Sequence, residues 1–408
     1  MQRAIETLLV ITHVRHYAHA GRLYAYGPYA REIDIWASLF PKVRIASPFK
    51  AGPPSSDSLP FESTNISILP QLETGGNSIA KKLLQIALLP RLCWDLIQAM
   101  RKADAVHVRC PGNLGLLGTL LAPIFSRYMV TKYSNQWSSF PGEPLSWKLQ
   151  RFLLGSRWWR GPVTVYSRQS KSRNVVPFFT SIMTAEQIAR ARRASACLNS
   201  LDRLRLLYIG RLTPSKNVDT LLAAAATLKA GGAALECKIV GEGPQREQLE
   251  QLCEEYGLEG AVEFTGGLPF DGVLDHLERA NVLVLVSETE GWPKAIAEGM
   301  AFGLICIGTN RGLVPDLLGE GRGITVPPGN SVALADALRK IAANPAAYDS
   351  MRQKAAAWGQ QFSLESVRQG LSDLLEQHWN VRLEPARTDS SESSALSPVG
   401  SGSVSGAY

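Results

Sequence analysis

Three short segments in the carboxy half combine residue types suited to an anionic, hydroxyl-rich ligand. The first, Gly210-Arg211-Leu212-Thr213-Pro214-Ser215-Lys216, sets two cations five positions apart on a turn after the apolar run Leu204–Ile209. Ser215 suits an N-cap, and Lys216 would then sit in the first helical turn, where a cation opposes the helix dipole unless an anion is bound. That mismatch points to a phosphate site; the alternative is a pair of solvated surface charges. In the second segment, Val240-Gly241-Glu242-Gly243-Pro244, glycines mark a close backbone approach and Pro244 opens a helix, although a plain strand-to-helix turn would read the same way. The third, Ser287 to Ala301, follows the apolar stretch Asn281–Val286, and Pro293 pre-sets a helix whose first amides point back toward the strand end. Glu290 stands before that helix and Glu298 on it, eight positions later. Two carboxylates so spaced can bond different hydroxyls of one polyol while the intervening amides hold its phosphate. A capping acid plus a solvated helix residue would explain Glu290 but not the apolar setting of Glu298.

In this order, with Phe264-x-Gly266 between the second and third, the segments resemble the GT-B glycosyltransferases, and among them the large retaining family 4, over roughly Leu204 to Trp379. The resemblance implies that Arg211 and Lys216 hold the donor diphosphate, that Glu290 contacts the donor sugar and that Glu298 binds the ribose. Arg211, Lys216 and Glu290 are then the catalytic candidates. Gly210, Gly241, Glu242, Gly243, Gly266, Trp292, Pro293, Lys294, Ala295 and Glu298 are the expected donor-binding set. In the amino half, Gly27-Pro28 stands where many members carry a glycine pair. Val130-Thr131-Lys132-Tyr133 stands where many carry V-T-x-H, so Tyr133 takes the histidine position. Gly27, His107, Arg109 and Tyr133 are the candidates for sugar or acceptor contacts.

Neither D-x-D nor H-E-x-x-H, G-x-S-x-G or G-x4-G-K-[ST] occurs, so metal-dependent GT-A transfer, zinc or serine hydrolysis and P-loop chemistry lack their usual signatures. No metal and no cofactor is expected, a nucleotide sugar being a substrate; Arg211, Lys216 and helix amides would meet the leaving diphosphate's charge. The reading is a retaining, metal-independent transfer from a nucleotide-diphosphate sugar to a glycan or lipid-linked glycan, within polysaccharide or glycoconjugate synthesis. One rival is a nucleotide-sugar epimerase or hydrolase on the same fold, separated by whether product forms without acceptor. Another is a non-catalytic nucleotide-sugar-binding protein, suggested by Tyr133.

The elements that must position these residues alternate along the chain. Strand-length apolar runs at Thr7–Thr12, Val43–Ala46, Ile66–Leu69, Ala105–Val108, Tyr128–Lys132 and Val163–Tyr166 alternate with helical patterns, and the carboxy half repeats the rhythm from Leu204 to Ala342. Such βαβ alternation predicts an α/β fold: two Rossmann-like domains facing across a cleft, with ligand at the carboxyl ends of the strands. The expected boundaries are an acceptor-binding domain at 1–180, a linker at 181–203 and a nucleotide-sugar domain at 204–360. The resemblance adds a helix at 361–384 that crosses back to the first domain; a Ser/Gly-rich disordered tail follows at 385–408.

Charge separates the halves: residues 1–200 hold 25 Lys+Arg against 10 Asp+Glu, whereas 201–408 hold 18 against 26. No zinc-finger, basic-zipper or RNP signature accompanies the basic half, so nucleic acid is not an expected partner. Lys81, Lys82, Arg91, Arg101 and Lys102 surround an apolar helical body interrupted at Pro90, and Lys148, Arg151, Arg157 and Arg160 accompany Trp158 and Trp159, whose rings would sit at headgroup level. These suggest an anionic membrane surface, with an ordinary sheet-packing helix as the alternative for each stretch. The six cysteines form no C-x-x-C pair, and the amino terminus reads as a buried strand rather than a leader. The expected location is cytoplasmic, peripheral on the inner face of the membrane.

Overall fold

Parallel strands covered on both faces must be apolar throughout, and the run at Thr7–Ile11 meets that condition: Leu8, Leu9, Val10 and Ile11 have no exposed surface. In the computed structural model, which describes residues 5–55, 57–73, 79–140, 142–166, 172–178, 180, 183–197 and 203–383, this run is the central strand of the amino-terminal sheet. The elements in chain order are β1 (Thr7–Ile11), β2 (His16–His19), β3 (Arg22–Tyr26), α1 (Gly27–Ala37), β4 (Lys42–Ala51), β5 (Ser58–Pro60), β6 (Ile66–Gln71) and α2 (Ile79–Arg101). Next come β7 (Ala105–Cys110), α3 (Asn113–Phe125), β8 (Tyr128–Tyr133), α4 (Leu145–Gly155), β9 (Val163–Val165), β10 (Val175–Pro177) and α5 (Ala185–Ala196). Its sheet runs β10-β9-β8-β7-β1-β4-β2-β3-β5, with β6 on the long β4 and antiparallel pairs only at β2–β3 and β3–β5.

The second sheet is wholly parallel. Its unit comprises β11 (Leu204–Ile209), α6 (Val218–Ala230), β12 (Leu235–Val240), α7 (Arg246–Glu255), β13 (Val262–Gly266), α8 (Phe270–Arg279), β14 (Val282–Leu285), α9 (Lys294–Ala301), β15 (Ile305–Thr309), α10 (Val314–Leu318), β16 (Ile324–Val326), α11 (Ser331–Ala343) and α12 (Asp349–Gly359), followed by α13 (Leu364–Trp379). The order β13-β12-β11-β14-β15-β16 reverses direction between β11 and β14, the switch point at which a doubly wound sheet opens a crevice. The architecture is GT-B: Val367, Leu371, Leu375 and Trp379 of α13 join the amino-terminal core, and Trp379 Nε1 donates to Met129 O at 3.2 Å. Ser363 breaks the chain between α12 and α13 by capping the latter through a capping box.

Several expectations need amending. The stretch read as a linker contains α5, capped by Thr184 and Gln187, with Ile188 and Ala191 in the carboxy-terminal core. The small strands β2, β3, β5 and β10 carry no long apolar run and escape a pattern search. Pro90 lies inside an unbroken α2. Trp159 belongs to the core at 2% exposure rather than to the surface, and Trp158 ties its indole N–H to Thr119 O at 3.0 Å. The tail expected at 385–408, residues 181–182 and 198–202 of the linker, and the side chains of Lys81 and Lys82 lie outside the described residues.

Candidate active site

A cavity of about 650 Å³ opens between the carboxyl ends of the two sheets. Its carboxy-terminal wall is the switch point: the loop after β11 supplies Gly210, Arg211 and Lys216, and the segment after β14 supplies Glu290, Trp292, Pro293, Lys294 and Ala295, with Glu298 on α9. Local backbone geometry explains these placements. Pro214 starts a 3₁₀ turn over Pro214–Lys216, and Asn217, in the left-handed region at φ 51°, stands at the N-cap of α6. Ser215 is therefore not the cap and Lys216 precedes the helix, contrary to the expected capping. Lys216 Nζ instead donates to Glu290 Oε1 at 2.5 Å, and Ser287 Oγ donates to the same oxygen at 2.6 Å. Arg211 is two-thirds exposed and lies 3.9 Å from Asp57 across the opening.

The glycines of this wall divide in two. Gly241, at φ +143°, and Glu242 line the cavity; a Cβ on Gly241 would lie 1.9 Å from Gly210 O, so only glycine lets these loops meet. Gly243 and Gly266 do not line it. A Cβ on Gly243 would sit 2.2 Å from Leu212 O, and Gly266 O accepts the Gly241 N–H at 2.9 Å. Both hold the loops together rather than face the opening.

Glu298 is 4% exposed and its Oε1 has no hydrogen-bond partner. Burial pushes its carboxyl up to about 7, against the opposing pull of Lys294 and Arg31. Lys294 is drawn down to about 7, first by burial; Lys132 and Arg109 add to this, and Glu32 and Glu298 oppose it. A buried carboxylate oxygen left unsatisfied beside an open cavity suits a ligand hydroxyl.

The amino-terminal wall is built differently. Glu32 of α1 accepts hydrogen bonds from both Arg109, at the end of β7, and Lys132, at the end of β8, the latter at 2.8 Å. Burial alone would raise the Glu32 carboxyl, but Arg109 and then Lys132 hold it well below the ordinary range. Arg109 also lies over the Tyr29 ring at 4.8 Å and Lys132 over Tyr166 at 5.0 Å. Tyr166 in turn stacks on Trp292 of the opposite wall, centroids 5.0 Å apart. Gly27, first in α1, donates its N–H to Asp57 O at 2.9 Å, and its neighbours Tyr26 and Pro28 line the cavity.

Of the four amino-half candidates, Arg109 lines the cavity and Gly27 borders it. Strand geometry removes the other two. Arg109 and Lys132 are partners in the β7–β8 register, and alternation turns Tyr133 to the opposite face, fully buried and edge-on to Trp137 at 5.1 Å. His107 shares the face of Arg109 but lies deeper, stacked on Trp36 at 4.0 Å with no exposed surface. Sequence reasoning missed Glu32, Lys132, Asp57, Tyr166 and Ser287. The usable signal was charge within apolar elements: Glu32 sits between Tyr29, Ile33 and Trp36, and Lys132 within the buried β8. A second cavity of about 690 Å³ lies at the other end of the carboxy-terminal sheet, where acids partner its cations, as in Lys238 with Glu263 at 2.5 Å and Glu236 at 3.1 Å. Among the described residues no group of His, Cys, Asp and Glu side chains could hold a metal ion.

Residues 196–358 match the family model described as glycosyl transferases group 1. A putative colanic acid biosynthesis glycosyltransferase, WcaL, of Salmonella typhimurium is 32% identical over 42% of this chain and 45% of its own length. A 2-deoxystreptamine N-acetyl-D-glucosaminyltransferase of Niallia circulans is 28% identical over 61% of this chain and 69% of its own. The chain spans less than half the length of the first curated relatives it matches. Among solved structures, Anabaena Alr3699/HepE in complex with UDP superposes with a TM-score of 0.65 at 15% identity, over 91% of this chain and all of that one. The resemblance to GT-B glycosyltransferases read from the sequence is borne out by these matches.

Proposed function

With a GT-B fold and a group 1 glycosyl transferase match as premises, we propose that the protein moves a sugar from a nucleotide-diphosphate donor to a glycan or lipid-linked glycan, with retention at the anomeric carbon and without a metal ion. The observation that carries this reading is the switch-point wall, where Lys216 meets Glu290 and Glu298 keeps a buried carboxylate oxygen free of protein partners. The relatives named as glycosyltransferases and the UDP of the Anabaena protein support it.

In this reading the nucleotide ribose bonds to Glu298, and the diphosphate lies against Arg211, Lys216 and the first amides of α9. Glu290, tethered by Lys216 and Ser287, orients the sugar rather than attacking it. The acceptor hydroxyl attacks from the face the diphosphate leaves, the anomeric C–O bond to phosphate breaks, and the hydroxyl proton passes to the departing phosphate oxygen. Fixed cations and amides stabilise the charge that develops there. The acceptor rests on the wall of Glu32, Arg109 and Lys132, beneath a basic half suited to an anionic membrane surface. Thermal-shift screening against UDP-, GDP- and ADP-sugars tests the donor side, because a ligand bound only to the native state raises its stability. Stabilisation by one of them is expected; a flat response across all three contradicts the reading.

A further inference from the structure

Helix α4 turns a row of apolar side chains outward. Leu145, Leu149 and Phe152, spaced i, i+4 and i+7, form an apolar stripe that is 81%, 46% and 71% exposed. The inner face of α4 buries one apolar and one polar side chain: Leu154 joins the core, Gln150 is fully buried and accepts the Gly112 N–H at 3.2 Å, and the buried Glu143 just before the helix is bridged by Arg151. Trp94 and Ile86 of α2 and Ile124 of α3 are each more than 60% exposed; α3 packs between α2 and α4. Nine of the fourteen exposed large hydrophobic side chains among the described residues lie on α2, α3, α4 or the turn to Arg160, so the apolar surface is concentrated rather than scattered.

Charge identifies the occupant. Lys148, Arg157 and Arg160, on α4 and the turn after it, and Arg91 on α2 are exposed, and α2, α3, α4 and the turn to Arg160 contain a single acid, Asp95, which pairs with Arg91. Across a two-fold axis a second copy would set these cations against themselves. An anionic phospholipid surface satisfies both the apolar stripe and its basic border. Topology also fixes the orientation. β8 and β9 are parallel, so α4 runs back from the carboxyl edge, and the chain between Ser134, which lines the cavity, and Leu145 joins the cleft to the head of the stripe.

We infer that the α2–α4 face docks on an anionic bilayer with the α4 stripe inserted, holding the cleft edge at headgroup level so that the acceptor is drawn from the membrane. This rests on the glycosyltransferase reading only for what the cleft then does. The test is flotation of the full chain with vesicles of phosphatidylcholine, or of phosphatidylcholine mixed with phosphatidylglycerol, at low and high salt. The expected result is binding to the mixed vesicles only, weakened by salt. Leu149→Ser/Phe152→Ser should lower the partition about tenfold or more. Lys148→Glu should lower it about fivefold. Nucleotide-sugar thermal shifts must be unchanged in these variants, which shows that the cleft is folded. Equal recovery from neutral and anionic vesicles, wild-type flotation of the stripe variant, or a dimer that the stripe variant dissociates would overturn the inference. Donor binding without vesicle binding would remove the docking and leave the transferase reading; vesicle binding without donor binding would do the reverse.

Discussion

The two walls of the cleft hold charge in different ways. On the carboxy-terminal wall, loops and one short helix carry Lys216, Glu290 and Glu298; a single hydrogen bond joins Lys216 to Glu290, and Glu298 leaves a carboxylate oxygen open. On the amino-terminal wall, Glu32, Arg109 and Lys132 form a closed buried trio seated on a helix and two strands. A wall with unsatisfied groups is set to exchange its contacts for those of a ligand, whereas a satisfied trio is rigid and shapes the space opposite. Stability should therefore reside mainly in the amino wall and ligand-dependent behaviour in the carboxy wall.

The largest effect expected from that contrast is on stability. Glu32→Gln leaves two buried cations uncompensated and should destabilise the fold by about 3–5 kcal/mol in denaturant titration. An unchanged midpoint would show that the trio is solvated and would erase the distinction. Next, Lys216→Ala removes a charge-assisted contact to the diphosphate and should lower donor kcat/KM by about 10- to 150-fold, about 1.5–3 kcal/mol, with a smaller change in stability. A loss of stability that matches the loss of activity would make Lys216 part of the scaffold instead.

A smaller effect concerns pH. The Glu298 carboxyl is raised from 4.5 to about 7 in the fold, so the native state binds that proton more tightly than the unfolded chain. The associated stability is full below the unfolded value and is lost as pH rises through about 7. Glu298→Gln should therefore leave stability little changed at low pH and raise it by about 1–2 kcal/mol at pH 8, part of the shift being offset by coupling to Lys294. Donor use should fall in the same variant. Parallel pH–stability curves would show that the carboxylate is solvated in the fold. The smallest expected effect is none at all: turnover should survive EDTA, because fixed cations and amides meet the phosphate charge. Complete loss restored by Mg²⁺ or Mn²⁺ would contradict that arrangement.

The same contrast explains what could be read from the chain. The carboxy wall is contiguous: Glu290 and Glu298 lie on one loop and helix, and Lys216 on the turn of a neighbouring strand, so type and spacing expose them together. The amino wall draws Glu32 from 77 positions before Arg109 and 100 before Lys132, and only the β7–β8 register brings the cations to one carboxylate. No local pattern encodes that meeting. Tyr133 drew attention because it fills a motif position, yet a one-residue step along a strand reverses the face, and it is Lys132 beside it that reaches Glu32 of the cleft wall. The main strands were legible as apolar runs. Short outlying strands such as β3, with its exposed Arg22 and Tyr26, were not, because little of them is buried.

The central claim is that the switch-point wall binds a nucleotide sugar whose sugar is then transferred. Its most direct test is to incubate the protein with UDP-, GDP- and ADP-sugars, with and without a glycan or lipid-linked acceptor, and to follow product by mass spectrometry for the wild type and Arg211→Ala/Lys216→Ala. The account predicts sugar transfer from one donor only when acceptor is present, reduced about 100-fold or more in the double variant. Donor cleavage that proceeds equally without acceptor, or a folded double variant that turns over like the wild type, would contradict it.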